Sequence, residues 1–92
     1  MVYLIQKGYI VCDVAGNNYD ETLEDEPFIF VNEESAKNYV REWLEHRPDK
    51  AVDEKFIERD DGRIEACYNI RDEYELDWYH CYCYYRRIKA YK

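Results

Sequence analysis

Hydroxyl nucleophiles and phosphate-binding loops are nearly absent from this 92-residue sequence. It contains one serine and one threonine, Ser35 and Thr22, and its three glycines are far apart. A phosphate-cradling loop needs several glycines within a few residues, so none is present. Carboxylates are abundant, but no nucleophile, base and orienting group form a recognisable catalytic pattern. We therefore predict that the protein is not an enzyme.

Long apolar runs and an excess of positive charge are also missing. No apolar stretch approaches the ~18 residues of a membrane span, and residues 1–12 lack the basic start and cleavage site of a signal peptide. The net charge is −8 and the pI is near 4.7, which argues against direct nucleic-acid binding because phosphate contacts need basic side chains. We expect a cytoplasmic protein with a single domain over residues 1–92 and no membrane association.

The four cysteines show neither a disulfide framework nor a zinc spacing. Free cysteines in a reducing compartment behave as small apolar residues. Cys81 and Cys83 share one face of a strand, whereas His80 would point to the opposite face. We expect no metal and no cofactor. A small metal or thiol protein built on Cys81 and Cys83 remains a third alternative for the function.

Strand signals dominate the first third of the chain. Residues 2–12 are rich in β-branched and aromatic side chains and predict an extended segment, in which Gly8 marks a bulge or a tight turn. The acidic run 20–26 is typical of a loop that ends at Pro27. Residues 28–31 predict a short buried strand.

Residues 33–46 predict an amphipathic helix. Asn32 is a natural N-cap, two glutamates occupy the first turn, and Pro48 stops the helix. Apolar residues recur at the spacing of one helical face, which should pack on the rest of the protein. These residues are Ala36, Tyr39, Val40, Trp43 and Leu44.

A hairpin and a long last strand are predicted after the helix. Residues 49–55 predict a short helical turn or a loop, and the Asp61-Gly62 pair between residues 56–59 and 63–68 predicts a type I′ hairpin turn. Residues 78–91 predict an uninterrupted aromatic strand. The order β-β-α-β-β-β predicts an α+β fold, an antiparallel sheet of about five strands with one amphipathic helix packed on one face. One helix cannot cover such a sheet, so part of its other face is left to water or to a partner.

Charge is segregated along the chain. Residues 1–77 carry a net charge of −12 and the last fifteen carry +4. Between Gly8 and Ala36 there are eight acids and no lysine or arginine. Such an imbalance keeps a small domain soluble, and it equally suits an acidic face that attracts a basic partner.

Tyrosine is the second unusual feature, with eleven in 92 residues. Side chains alternate between the two faces of a strand. The odd-numbered set is Tyr79, Cys81, Cys83 and Tyr85, and the even-numbered set is Trp78, His80, Tyr82 and Tyr84. Because cysteines prefer burial, we expect the odd-numbered face to meet the helix and the even-numbered aromatics to be available to a partner. Alternatively, tyrosine serves as the packing residue of a small core. The predicted partner-binding residues are Asp20, Glu21, Glu24, Asp25, Glu26, Glu33, Glu34, Asp60, Asp61, Trp78, Tyr82 and Tyr84.

Residues 28–40 form a strand that leads through a capped turn into an amphipathic helix, and this stretch resembles the strand–helix module of many small phage proteins. Chain length and acidity are similar to those of phage-encoded inhibitors of bacterial defence, including anti-CRISPR proteins. The resemblance implies a non-enzymatic inhibitor in the host cytoplasm. It also implies DNA mimicry, in which the acidic surface blocks a nucleic-acid-binding groove.

The leading hypothesis is an interaction protein that binds and obstructs a basic surface of a nucleic-acid-processing protein, such as a CRISPR-Cas effector. The alternative is a nucleic-acid or peptide binder in which bases stack on the tyrosines of the last strand while Arg86, Arg87 and Lys89 hold phosphates. The last strand is also a candidate edge strand, which would form a homodimer by pairing with a copy of itself.

Overall fold

The described part of the chain folds as a five-stranded antiparallel sheet with one helix across one of its faces. The computed structural model describes residues 1–74 and 76–89. The order of strands across the sheet is β2-β1-β5-β4-β3 and each neighbouring pair is antiparallel, which confirms the predicted α+β fold. The elements are β1 (Val2–Cys12), β2 (Asn18–Phe30), α1 (Glu33–Glu45), β3 (Val52–Glu58), β4 (Ile64–Arg71) and β5 (Trp78–Ile88).

The helix begins where the sequence predicts and ends one residue earlier. The Asn32 side chain accepts hydrogen bonds from the backbone N–H groups of Glu34 (2.8 Å) and Ser35 (3.3 Å), which satisfies donors that the first turn leaves unpaired. His46 is the C-cap, with its N–H still bonded to the Glu42 carbonyl. Local signals therefore define this element.

The hydrophobic core lies between α1 and one face of the sheet. Ala36 and Val40 are completely buried there, and Trp43 stacks on Tyr68 of β4 with ring centroids 5.1 Å apart. The predicted apolar stripe is thus the face that packs on the sheet. Tyr85 is the largest fully buried side chain, so a tyrosine does fill part of this small core. The buried cluster comprises Ile5, Ala36, Val40, Ile64, Ala66, Cys83 and Tyr85.

β2 is the main departure from the sequence prediction. Residues 20–26 are predicted as a loop, but they form the middle of a 13-residue strand at the edge of the sheet. Pairing with β1 satisfies one side of this strand, while water hydrates its carboxylates, so an edge tolerates acids that a central strand would not. The predicted burial of residues 28–31 is also wrong, since Phe28, Ile29 and Val31 are 41%, 53% and 81% exposed.

β5 lies in the middle of the sheet, and the prediction that it is an edge strand available to a second copy is wrong. β1 pairs with one of its sides and β4 with the other, from Trp78 to Ile88 on the β1 side. From Trp78 to Tyr84 both sides of β5 are therefore already paired within the chain. Lys89 follows the strand, and the last part of the predicted strand, including Tyr91, lies outside the described residues.

The two connections around β3 differ from the predictions. Residues 52–55 belong to β3 rather than to a helical turn or a loop. In the β3–β4 turn, Gly62 has a positive φ of 85° but Asp61 does not, so the turn is not type I′. The Asp61 carboxylate accepts the N–H of Arg63 at 3.0 Å, which holds this turn without a second left-handed residue.

Gly8 marks a close approach of two strands rather than a bulge or a turn. β1 continues through it, and the irregularities of the β1–β2 register lie elsewhere, between Leu4 and Gln6 and between Val11 and Cys12. A Cβ atom at Gly8 would overlap the backbone carbonyl of Thr22 on β2. Among the described residues, no helix is long and apolar enough to cross a membrane.

We expect Gly8→Ala to lower the free energy of unfolding by roughly 1–3 kcal/mol, because the added methyl group must displace the β2 backbone. Urea unfolding of the wild type and the variant measures this. Gly16→Asn is the control, since Gly16 has φ of 86°, nothing lies within 4 Å of its Cβ position, and asparagine tolerates that backbone conformation. Equal stability of Gly8→Ala and the control would contradict the prediction.

Candidate functional site

No helix or strand of the described residues covers the face of the sheet opposite α1, and we call it the open face. Alternation along β5 buries Cys83 and Tyr85 against the helix, at 0% and 1% exposure, and turns the even-numbered side chains away from it. Trp78 is 38% exposed, and His80, Tyr82 and Tyr84 are half-buried. The predicted assignment of the two faces of the last strand is confirmed. We call the even-numbered set the aromatic ladder: Trp78, His80, Tyr82 and Tyr84.

The rings of the aromatic ladder contact one another along β5. The centroids of His80 and Tyr82 are 6.2 Å apart, and those of Tyr82 and Tyr84 are also 6.2 Å apart with an interplanar angle of 23°. At the other end, the Arg71 guanidinium lies 5.9 Å from the centre of the Trp78 ring. Side chains packed in this way lose little further rotamer freedom on binding, which favours their use as anchors.

Hydrogen bonds fix the orientation of the ladder. The Tyr82 hydroxyl donates to Glu21 Oε1 at 3.2 Å, and burial raises the pKa of Tyr82. His80 Nδ1 lies 2.7 Å from Asn69 Oδ1, within hydrogen-bond distance of an oxygen that can only accept. Asn69 Nδ2 in turn donates to Asp53 Oδ2 at 3.1 Å. The ladder is thus connected to both edge strands.

Two shallow clefts flank the ladder on the open face. One, of about 320 Å³, lies beside Tyr82 and Tyr84, and the other, of about 410 Å³, lies beside Trp78 and His80. Both are open to solvent along the sheet, so they suit the side chains of a macromolecular partner better than an enclosed small ligand. The apolar side chains that line the first cleft are Ile10, Leu23, Ile57 and Cys67.

A smaller cleft of about 200 Å³ lies on the helix side of the sheet. Trp43, Tyr68 and Cys81 line it, together with Tyr9. Its volume is below the range usual for ligand sites. Burial raises the pKa of Tyr68 to about 12, so its hydroxyl is a neutral donor near Cys81. We regard this cleft as an imperfection of the helix–sheet packing.

The cysteines do not form a reactive centre in this structure. All four are free. The Cys12 thiol donates to Asn18 Oδ1 at 2.8 Å, and within the described ranges no hydrogen bond links it to His80. Burial raises the pKa of Cys83 to about 12 and raises the pKa of Cys81 as well. Across residues 1–74 and 76–89, no three His, Cys, Asp or Glu side chains are placed to hold a metal ion.

The five acids of β2 line the edge of the sheet rather than one of its faces. Glu21 and Asp25 lie opposite even-numbered residues of β1, which in turn lie opposite the aromatic ladder, so both acids are on the open face. Register with the odd-numbered residues places Asp20 and Glu24 on the helix side. The structure therefore brings two of these acids alongside the aromatic ladder and directs the others away from it.

Only one of the β2 acids has a cationic partner in the part of the chain that the structure describes. Glu26 pairs with Lys7 at 2.7 Å, which raises the pKa of that lysine. Asp25 accepts a hydrogen bond from the neutral amide of Gln6 at 2.6 Å. The edge therefore keeps most of its negative charge.

Glu33 is used within the fold. Its Oε2 accepts from Arg87 Nη2 at 2.6 Å, Arg87 Nε at 3.0 Å and the Tyr85 hydroxyl at 2.6 Å. Burial alone would raise the pKa of this carboxyl, but the hydrogen bonds from Arg87 and Tyr85 outweigh it and hold the pKa below its ordinary value. Glu33 therefore attaches the start of α1 to β5.

The other predicted acids also lie away from the open face. Asp61 pairs with Arg63 at 2.7 Å, and its carbonyl oxygen accepts from Arg87 Nη2 at 2.9 Å. Asp60 is exposed in the same turn. Glu34 pairs with Arg41 at 3.2 Å on the outer side of α1. Together with Glu33, these residues lie around the N-terminus of α1, so they do not add to the row of β2 acids at the edge of the sheet.

Several residues of the open face were missed by the sequence prediction. Leu23 is 48% exposed, and Ile10, Cys67 and Asn69 border the ladder. Glu65 on β4 also lies there, in a bidentate ion pair with Arg59 at 2.9 and 2.6 Å. No local signal identifies these residues, because their positions depend on the order of strands in the sheet.

No family model matches the chain, and comparison with curated proteins and with solved structures gives no match. The function is therefore inferred from the residues and their geometry.

We expect Glu33→Gln to lower the free energy of unfolding by roughly 1–3 kcal/mol at neutral pH, because it removes the closer of the two carboxylates beside the half-buried Arg87 and leaves only Asp61, at 3.8 Å. The lowered pKa of Glu33 in the folded state means that its carboxylate stabilises the fold above its ordinary pKa of 4.5 and that this contribution is lost as the pH falls through the folded-state pKa. The difference from wild type should therefore shrink on acidification.

Urea unfolding at neutral and acidic pH measures both effects. Glu34→Gln is the matched control, since Glu34 shares the first turn of α1 and its ion pair is exposed. A Glu33→Gln protein as stable as the control at neutral pH would refute the structural role.

The cysteines should differ strongly in reactivity. We expect a maleimide to modify Cys12 first and Cys83 at least about a hundredfold more slowly, because burial and a pKa of about 12 leave Cys83 almost without thiolate. Mass spectrometry of the native protein over time measures the order. In urea all four thiols should react at similar rates, and rapid native modification of Cys83 would contradict the packing.

Proposed function

We propose that the protein is a non-enzymatic interaction protein that binds and obstructs a basic surface of a nucleic-acid-processing protein. Its contact surface is the open face together with the acidic edge at β2. Because the chain resembles phage-encoded inhibitors in length and acidity, we extend the proposal to a phage-type inhibitor. Such an inhibitor would act in the host cytoplasm on a defence protein such as a CRISPR-Cas effector. The observation that carries it is an ordered aromatic ladder on the open face, bordered by carboxylates that have no cationic partner among the described residues.

The aromatic ladder supplies anchoring. Tyrosine and tryptophan dominate binding hot spots because they offer a large apolar area and a polar tip. Here Tyr82 and Tyr84 are half-buried and stacked, and Trp78 is 38% exposed. The exposed Leu23 and the half-buried Ile10 enlarge the apolar surface beside them. A partner would cover a preformed surface rather than order a loose one.

The acidic edge supplies steering. The sequence has a net charge of −8, and four of the five β2 acids have no cationic partner among the described residues. Such a field accelerates association with a basic surface and is screened by salt. Carboxylates spaced along a strand at ~3.4 Å per residue also present a row of negative charge, as a nucleic-acid backbone does.

A nucleic-acid binder is the second candidate, and one observation favours it. Arg86 is exposed and follows Tyr84 by two residues on β5, so it lies at the end of the aromatic ladder. Against it, Arg87 is held by Glu33 and cannot contact phosphate without breaking that pair. Gel shifts with single-stranded RNA and DNA separate the candidates: binding that Arg86→Ala abolishes would favour this one.

We expect affinity capture from a bacterial lysate, read by quantitative mass spectrometry, to retain a basic nucleic-acid-processing protein. A Tyr82→Ala, Tyr84→Ala double variant should weaken the purified complex by about tenfold or more, because it removes central aromatic anchors. Tyr74→Ala is the control, since Tyr74 is 94% exposed in the β4–β5 turn.

The dissociation constant of the purified complex should also rise steeply with salt concentration. Asp20→Asn with Glu21→Gln should flatten this dependence, whereas Glu42→Gln with Glu45→Gln on the helix should leave it almost unchanged. An affinity indifferent to salt and to both ladder substitutions would overturn the proposed function.

A further inference from the structure

The outer side of β2 is a long free edge of the sheet. β2 has thirteen residues, with β1 on one side and no further strand on the other among the described residues. The opposite edge, β3, has seven residues and an irregular register between Val52 and Lys55. The β1–β2 register has two irregularities, but it is regular from Asp20 to Asp25. An edge strand exposes backbone N–H and C=O groups that a further strand can pair with. β2 is therefore the better of the two edges for adding a strand.

We propose that β2 binds an extended basic segment of the partner protein as a sixth strand of the sheet. This inference rests on the proposed function, since it assigns the way in which the acidic edge is used. Backbone pairing would give the affinity, and side chains opposite the β2 acids would give the selectivity.

The order of residues in β2 defines the segment that fits. Two acids, Asp20 and Glu21, are followed by the uncharged Thr22 and Leu23 and then by two more acids at positions 24 and 25. Successive residues alternate between the faces, so each acid pair places one carboxylate on each side of the sheet. A strand of two basic, two apolar and two basic residues would match this order. The order reads the same in both directions, so it suits parallel and antiparallel pairing.

A second copy of this chain is a poorer occupant of the edge. Pairing β2 with another β2 would place carboxylates opposite or diagonal to carboxylates, which destabilises cross-strand pairs. With a basic segment, each of these carboxylates would instead lie opposite or diagonal to a positive charge. The exposed side chain of Leu23 would at the same time be covered by the apolar residues of this segment.

The added strand would also be continuous with the aromatic ladder. Tyr82 of β5, Gly8 of β1 and Leu23 of β2 lie in one row across the sheet. Because Gly8 has no side chain, the Tyr82 hydroxyl reaches Glu21 Oε1 at 3.2 Å and the Thr22 carbonyl oxygen at 3.5 Å. The ladder therefore extends to the strand that would receive the partner segment. One partner could contact both surfaces.

Synthetic peptides test the inference without knowledge of the partner. We expect a peptide with the central order Lys-Lys-Val-Val-Lys-Lys to bind the intact protein, as measured by fluorescence anisotropy. The same composition as Val-Lys-Lys-Lys-Lys-Val should bind roughly tenfold more weakly, because it mismatches the acid pairs. Backbone N-methylation should abolish binding at one set of alternate positions and have little effect at the other set, as strand pairing requires.

Variants of the protein complete the test. Neutralising Asp20, Glu21, Glu24 and Asp25 with Asn or Gln should abolish peptide binding, whereas the same changes at Glu42, Glu45, Asp49 and Glu58 should not. No binding of the first peptide, or equal effects of N-methylation at both sets of positions, would overturn this inference. If the peptide does not bind but the protein still captures a partner in a way that depends on Tyr82 and Tyr84, the proposed function stands without this inference. If capture of a partner does not depend on Tyr82 and Tyr84, the proposed function itself is removed.

Discussion

A single helix packs on a five-stranded sheet in the part of the chain that the structure describes, and this constraint determines most of the molecule. α1 is about 20 Å long and about 10 Å wide, so its apolar stripe covers only part of one face of a sheet about 20 Å across. The buried side must then be packed by few residues, which explains why Tyr85 enters the core. The other side must be stable in water without a covering layer. Tyrosine meets both demands, because its ring packs and its hydroxyl is hydrated or hydrogen-bonded.

The helix and the general fold could be predicted because their signals are local. The Asn32 cap, the apolar stripe and Pro48 all act within a few residues of one another. The position of β2 could not be predicted in the same way. Residues 20–26 have a loop-like composition, and only their pairing with β1 makes them a strand. Whether a strand is central or at an edge is likewise a property of the whole sheet, which is why β5 was misplaced.

The aromatic ladder of the candidate site could be predicted from the sequence, whereas the available acids could not. Alternation and the preference of cysteine for burial are sufficient to assign the two faces of β5, and the ladder follows from them. The acids could not be sorted by sequence. Glu33 and Glu34 are neighbours with the same side chain, yet only Glu33 meets Arg87, which is 54 residues away. A carboxylate is committed to the fold or available at the surface according to such distant contacts.

The central pair of the sheet joins the first strand to the last, with Val2 opposite Ile88. During synthesis, β1 must wait for β5 before either obtains its full set of hydrogen bonds, and the β3–β4 hairpin has no sheet to join until then. Folding of the sheet is therefore delayed until β5 has emerged from the ribosome. During that delay the β1–β2 hairpin lacks a partner strand along one side of β1, and the apolar side chains of β1 that face α1 lack the packing that β5 completes.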